Sequence, residues 1–213
     1  MTTLLLIRHG ESEANRDKAF GGQSDARLLP MGEKQAEITA KYIAENYKIS
    51  KVYASDLSRA LKTGKIIAKA SGAPLIPCKN LREIYAGDWQ GITFSEIERR
   101  FPEDYEKWIS DIGHAACTGG ESVKELSARI LGALCEIAKD NEGKTVAVAT
   151  HAIPIRAMQC EMENLPLSEM KNIPWVSNAS VTEAIYENGK WTLGKVGYDK
   201  HLAGFKTVIP KTI

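Results

Sequence analysis

The chain has 213 residues, 43% of them hydrophobic, with 28 Lys and Arg against 27 Asp and Glu and a formal net charge of +1 at pH 7. That length suits one compact domain with an inserted subregion better than two full domains. The balanced charge lacks the strong basic field on which nucleic-acid or anionic-membrane binding depends, so any bound anion is small and held locally.

The first element is the apolar run Leu4 to Ile7, which ends abruptly in Arg8, His9 and Gly10. It reads as a buried strand breaking at a polar edge, where open α/β sheets bind ligands. The run is too short for a membrane span or a signal-peptide core. A helical pattern follows in Ala36, Ala40, Ile43, Ala44 and Tyr47, then a strand over residues 51–54. A second helical pattern runs through Leu57, Ala60, Leu61, Gly64, Ile67 and Ala68, followed by a strand at residues 74–77.

Residues 91–120 are the least regular stretch, with Pro102 inside it and Trp89 and Trp108 nearby, and read as a cap inserted over the site. Trp89, Phe94, Tyr105 and Trp108 either line the roof of a pocket or form the small core of the cap. Next, Ser122 and Glu125 match a capping box that opens a helix through Leu126, Ile130, Leu134 and Ala138. The strand at 145–149 comes next, and after Ala179 two strand-like runs meet around Asn188 and Gly189 as a hairpin. Strands alternating with helices give an α/β fold: three layers, α/β/α, around a mostly parallel central sheet with an antiparallel edge.

The four cysteines, Cys78, Cys117, Cys135 and Cys160, are dispersed and form no Cys-x-x-Cys, so neither a zinc site nor a disulfide framework is indicated. Cys135 falls on an apolar helical stripe and reads as a small core residue. These features point to a reducing, cytoplasmic setting.

Chemistry concentrates at two equivalent strand ends. His9 ends LLLI and His151 ends TVAVAT, and in a parallel sheet both would face one crevice. Either histidine taken alone reads first as a satisfied structural residue, and it is the matched pair beside Arg8 that points to a site. Arg59 lies in the first turn of its helix, where the helix dipole disfavours a cation unless an anion is also present; pairing with Asp56 is the alternative. Two histidines and two arginines around one point fit a tetrahedral dianion. His9 and His151 with Glu11 or Glu83 could instead bind a metal, although neighbouring arginines would repel it. Serine-hydrolase, P-loop and dinucleotide-binding motifs do not occur.

The ordered set LIRHGESEAN, GQSDARLLPMGEKQA, VYASDLSRALKTG, LREIYAGDWQG, GGESVKELSARI, VAVATHA and NASVTEAIYENGKW resembles the histidine phosphatase superfamily, which includes cofactor-dependent phosphoglycerate mutase and many small phosphatases. The resemblance covers nearly the whole chain and implies a single domain over residues 1–213, with the cap at 91–120. It implies that His9 is the nucleophile that forms a phosphohistidine, with Arg8, Arg59 and His151 on the phosphoryl oxygens and Asn15 adding an amide donor. It assigns Glu83 as general acid and then base, and places Gln23 and Ala152 among the phosphate-binding residues. Ala152 stands where the family commonly has glycine, and ARLL at residues 26–29 departs from the usual pattern of the phosphatases. His114 reads as a solvated loop residue and His201 as structural.

The short path from REIYAGDWQG to GGES is that of the small phosphatases. The expectation is therefore a metal-independent phosphomonoester hydrolase acting on a small phosphorylated metabolite, with no cofactor, no nucleic-acid or membrane partner, and a homodimer left open. A mutase primed by 2,3-bisphosphoglycerate and a non-catalytic phosphate-binding regulatory module are the alternatives.

Overall fold

A computed structural model describes residues 1–207 of the chain. Its centre is a six-stranded sheet in the order β3-β2-β4-β1-β5-β6, with β1 at Thr2–Arg8, β2 at Ile49–Ala54, β3 at Leu75–Pro77, β4 at Thr145–Thr150, β5 at Val181–Glu187 and β6 at Lys190–Leu193. The first four strands in that order run parallel, and β5 and β6 add the antiparallel edge. The hairpin turn lies at Asn188 and Gly189, both at positive φ (51° and 79°), the conformation a two-residue turn needs to match strand twist.

The continuous apolar run of β1 follows from burial on both faces. Leu5 and Ile7 pack with Ala147 against Ala40 and Ile43 of α2 (Pro30–Asn46) and Ile67 of α3 (Ser58–Ser71). Leu4 and Leu6 face the other way with Val146 and Val148, toward Leu126, Ile130 and Leu134 of α6 (Val123–Asp140) and Ile155 and Met158 of α7 (Ala152–Met162). A one-residue slip of β1 would exchange the two sets. The capping box forms as expected: Glu125 N–H donates to Ser122 Oγ, and Ser122 N–H donates to the Glu125 carboxylate.

Residues 91–120 are more regular than the sequence suggested. They hold two short helices, α4 at Phe94–Arg100 and α5 at Pro102–Ser110, with Pro102 at the first turn of the second, where its missing N–H costs nothing. Trp89 and Trp108 are buried edge-to-face on Phe20, and this aromatic cluster is continuous with the core on the Leu4 and Leu6 side of the sheet. Cys135 is only half-buried, at the margin of the apolar stripe of α6 rather than inside it. Among the described residues no helix is long and apolar enough to cross a membrane.

The loop that leaves β1 is fixed by backbone-on-backbone contact. Gly10 and Gly32 approach so closely that a Cβ on Gly10 would meet the Gly32 carbonyl, and one on Gly32 would meet the Glu11 carbonyl. Leu29 N–H donates to Glu11 O (3.0 Å), and Glu11 N–H donates to Gln35 Oε1 (2.8 Å), so α2 and the loop are joined at three places. Two effects of Gly32→Ala therefore oppose each other. Helix propensity favours alanine by about 0.8–1.0 kcal/mol, whereas overpacking costs about 1–3 kcal/mol. We expect the packing cost to prevail and the urea midpoint of Gly32→Ala to fall; a raised midpoint would show that the contact relaxes freely.

Candidate active site

The register of β1 on β4 decides the site. Arg8 pairs with Thr150, and His9 N–H donates to Thr150 O (3.0 Å), so His9 and His151 are the first residues beyond two adjacent parallel strands. Their rings meet edge-to-face with centroids 5.2 Å apart, both buried. Chain reversal into α7 places His151 at its N-cap, Ala152 in its first turn and the helix dipole toward the same point.

Each imidazole has a fixed hydrogen-bonding role. His9 Nδ1 lies 2.7 Å from Gly10 O, so it carries the proton and donates, leaving Nε2 with a lone pair. Arg59 Nε–H points at that Nε2 from 3.3 Å. His151 Nε2 is 2.8 Å from Ser55 Oγ, while its Nδ1 is buried without a partner among the described residues. Burial, reinforced by Arg59 and other nearby positive charge, pushes both imidazoles well below their ordinary value of 6.5.

Among the described residues, the direct partners of the two guanidiniums are backbone carbonyls and His9, not carboxylates. Arg59 donates to Ser24 O (2.9 Å) and Gly22 O (2.6 Å), and Arg8 donates to Val176 O (2.6 Å). Burial lowers Arg8 to about 10 despite the nearby Glu83 carboxyl. Asp56, the alternative partner for Arg59, is taken by Arg82 in a bidentate pair at 2.6 Å, which frees Arg59 for the site.

Glu83 is buried beside this positive cluster, and burial raises it above its ordinary 4.5, against the pull of its hydrogen bonds and of both arginines. Its Oε1 accepts from Ile84 N–H (2.9 Å) and its Oε2 from Ile153 N–H (3.4 Å), which ties it to the start of α7. Asn15, in the short helix α1 (Glu13–Arg16), commits its Oδ1 to Ser12 and Asn178 and so presents its amide N–H₂ elsewhere. Ala152 lies in regular α-helical backbone, so its N–H is presented as a glycine's would be.

A cavity of about 900 Å³ opens here, lined by Arg8, His9, Asn15, Arg59, Glu83 and Ala152 at its floor. Phe94 of α4, Trp108 of α5 and Trp175 from the loop before β5 also line it. Gln23 and His151 do not line this cavity: the Gln23 side chain donates to Glu83 O (3.1 Å), and the His151 ring lies edge-to-face on that of His9. Asp25 caps the N-terminus of α3 through Ser58 N–H (3.1 Å). His114 is exposed beside Asp111, and His201 bonds Thr39 and stacks on Tyr42, so neither enters the site.

Sequence reasoning passed over Asn178, which donates to His9 O (2.9 Å), and Ser55 behind His151. Both lie inside quoted motifs, but only tertiary contact reveals what they hold. Among the described residues no group of three or more His, Cys, Asp or Glu side chains is arranged to hold a metal ion.

A family model described as the histidine phosphatase superfamily, branch 1, matches residues 4–199. Phosphoserine phosphatase 1 of Hydrogenobacter thermophilus is 31% identical over 213 residues, 100% of both chains. Among solved structures, YhfR of Bacillus stearothermophilus superposes with a TM-score of 0.90 at 29% identity, covering 95% of this chain and 100% of that one. A mutant phosphoserine phosphatase from Entamoeba histolytica, solved in complex with phosphoserine, gives a TM-score of 0.82 at 30% identity over 95% of this chain and 100% of that one.

The two suppressed imidazoles make stability depend on pH. Above about 6.5, the value in the unfolded chain, they are neutral in both states and native stability is fully present. As pH falls below that value the unfolded chain takes up protons that the buried site refuses, and stability declines. Glu83 has the opposite sign: between its ordinary value and its raised native one, the folded state holds the extra proton and gains stability as pH falls. His151→Asn should therefore shrink the loss of unfolding free energy between pH 6.5 and 5 by about 1–2 kcal/mol, measured with urea in phosphate-free buffer. An unchanged loss would mean that native His151 takes up a proton readily.

Proposed function

Because the chain belongs to branch 1 of the histidine phosphatase superfamily, we propose that its cleft hydrolyses phosphomonoesters through a phosphohistidine formed on His9. The observation that carries this reading is the Nε2 lone pair of His9, fixed by the Nδ1 bond to Gly10 O and sharing its pocket with Arg59 and Arg8. A neutral imidazole is the nucleophilic form, and the low native affinity of His9 for a proton maintains it near neutral pH.

In the first half-reaction Nε2 bonds to phosphorus as the P–O ester bond breaks. Arg8, Arg59, the free Nδ1 side of His151, the Asn15 amide and the Ala152 N–H stabilise the charge on the equatorial oxygens. Glu83, held protonated by burial, gives its proton to the departing alkoxide. In the second half-reaction water attacks phosphorus, its proton passes to the Glu83 carboxylate, and the P–N bond breaks to return neutral His9 and inorganic phosphate. No step needs a metal ion. The whole of residues 1–213 acts as one domain, with the cap at 91–120 selecting the alcohol portion of the ester.

The substrate is a small phosphorylated metabolite. Phosphoserine is the first to test, since it is named for relatives that match this chain along nearly its full length. The discriminating experiment is phosphate release from a panel holding phosphoserine, a sugar phosphate and 3-phosphoglycerate, with and without 2,3-bisphosphoglycerate. We expect free phosphate without isomerisation, unaffected by EDTA and blocked by vanadate. His9→Ala should abolish turnover, and Glu83→Gln should lower kcat/KM on alkyl phosphates by about 10²–10⁴-fold. A His9→Ala protein turning over at the wild-type rate would refute the mechanism, and conversion of 3- to 2-phosphoglycerate with little free phosphate would make the protein a mutase.

A further inference from the structure

Glu83 has no secondary structure to hold it. It lies between a short 3-10 turn at Lys79–Leu81 and another at Gly87–Trp89, in a segment outside the sheet. Buried backbone polar groups must nevertheless find partners, and here side chains supply most of them. Arg129, on α6, donates through NH1 to Asn80 O (2.8 Å) and Arg82 O (3.1 Å), and through NH2 to Glu83 O (3.3 Å).

The same guanidinium is locked from its other edge. Nε and NH2 both lie 2.9 Å from the two oxygens of Glu121, a bidentate pair with side chains only 21% and 14% exposed. Glu121 in turn accepts from Tyr85 N–H (3.1 Å) with Oε2 and donates its own N–H to Tyr85 O (2.7 Å). The segment from Asn80 to Tyr85 is thus fastened on both sides of Glu83 by one ion pair, and Gln23 Nε2 adds a second donor to Glu83 O. None of these contacts reaches the Glu83 carboxyl itself; they act on the backbone that carries it.

We propose that Arg129, braced by Glu121, is a positioning residue that sets where the Glu83 carboxyl meets the leaving-group oxygen. This rests on the reading of Glu83 as general acid. Lysine could supply the charge but not five fixed donors in one plane, so the role depends on the guanidinium fork.

A structural role alone would lower activity on every ester alike, whereas a displaced acid penalises only those esters whose leaving group needs a proton. The test compares kcat/KM of wild type, Arg129→Gln, Arg129→Lys and the milder Glu121→Gln on phosphoserine and on p-nitrophenyl phosphate. The ratio kcat/KM covers only the steps through phosphoenzyme formation, so the later work of Glu83 as base does not enter.

We expect both Arg129 variants to lose about 10- to 100-fold on phosphoserine and less than about threefold on p-nitrophenyl phosphate, with Glu121→Gln smaller in the same direction. Circular dichroism melts identify any variant that fails to fold, and Glu121→Gln then carries the test. Equal losses on both esters, or none, would overturn the proposal. Glu83→Gln run alongside separates the two failures: if it discriminates between the esters and the Arg129 variants do not, only the clamp is wrong. If Glu83→Gln does not discriminate either, Glu83 is not the acid and the role of Arg129 falls with it.

Discussion

The constraint on which this structure turns is the burial of two guanidiniums beside two imidazoles at the end of a central strand. Taking an ion out of water costs several kcal/mol even after relaxation, and Arg8 and Arg59 recover part of that through carbonyls at 2.6–2.9 Å rather than through direct carboxylate pairs. Glu83 is near enough to be felt electrostatically, yet its own burial favours the neutral acid. The resting site therefore has an excess of positive potential that it cannot discharge internally. Its other properties follow: the imidazoles stay neutral because further charge is unwelcome, and a tetrahedral dianion is the ligand that relieves the most strain.

Such a cluster is useful only if it is rigid, and rigidity here comes from register. Arg8 opposite Thr150 puts His9 and His151 side by side, and the alternation of Leu4 and Leu6 against Leu5 and Ile7 locks that register to two separate cores. The loop beyond is held by the Gly10–Gly32 contact and by Asn178 on the His9 carbonyl. A side chain carried on a strand end and pinned on three sides, as the proposed nucleophile His9 is, loses little entropy when it meets a substrate.

This division explains what could be read from the sequence. The apolar run before Arg8, the matched run before His151 and the Asn188–Gly189 turn are local signals, and each corresponds to an element found in the fold. Residues 91–120 carry little periodic signal because α4 and α5 are short and each buries few residues, Ile97 in one and Trp108 in the other. The motif of Gln23 neighbours the site, and packing decides that its amide donates to the Glu83 backbone. Asn178, Ser55 and Arg129 act across separations of 169, 96 and 46–49 residues, which no local pattern encodes.

The two halves of the proposed chemistry are consequently built in different ways. The phosphate end rests on strands, a helix N-terminus and main-chain register, so its geometry is set by the same forces that fold the sheet. The acid end rests on an irregular segment whose carbonyls are satisfied one by one by Arg129, Gln23 and Thr150, the last donating to Leu81 O at 2.8 Å. In a strand, Leu81 and Glu83, two residues apart, would share one face, whereas here Leu81 enters the core and the Glu83 carboxyl belongs to the cavity lining. Irregular backbone supplies that freedom, and the ion pair of Arg129 with Glu121 returns the order that irregularity removes. Because that order depends on side chains, the placement of the Glu83 carboxyl can change by substitution without disturbing the sheet that holds His9.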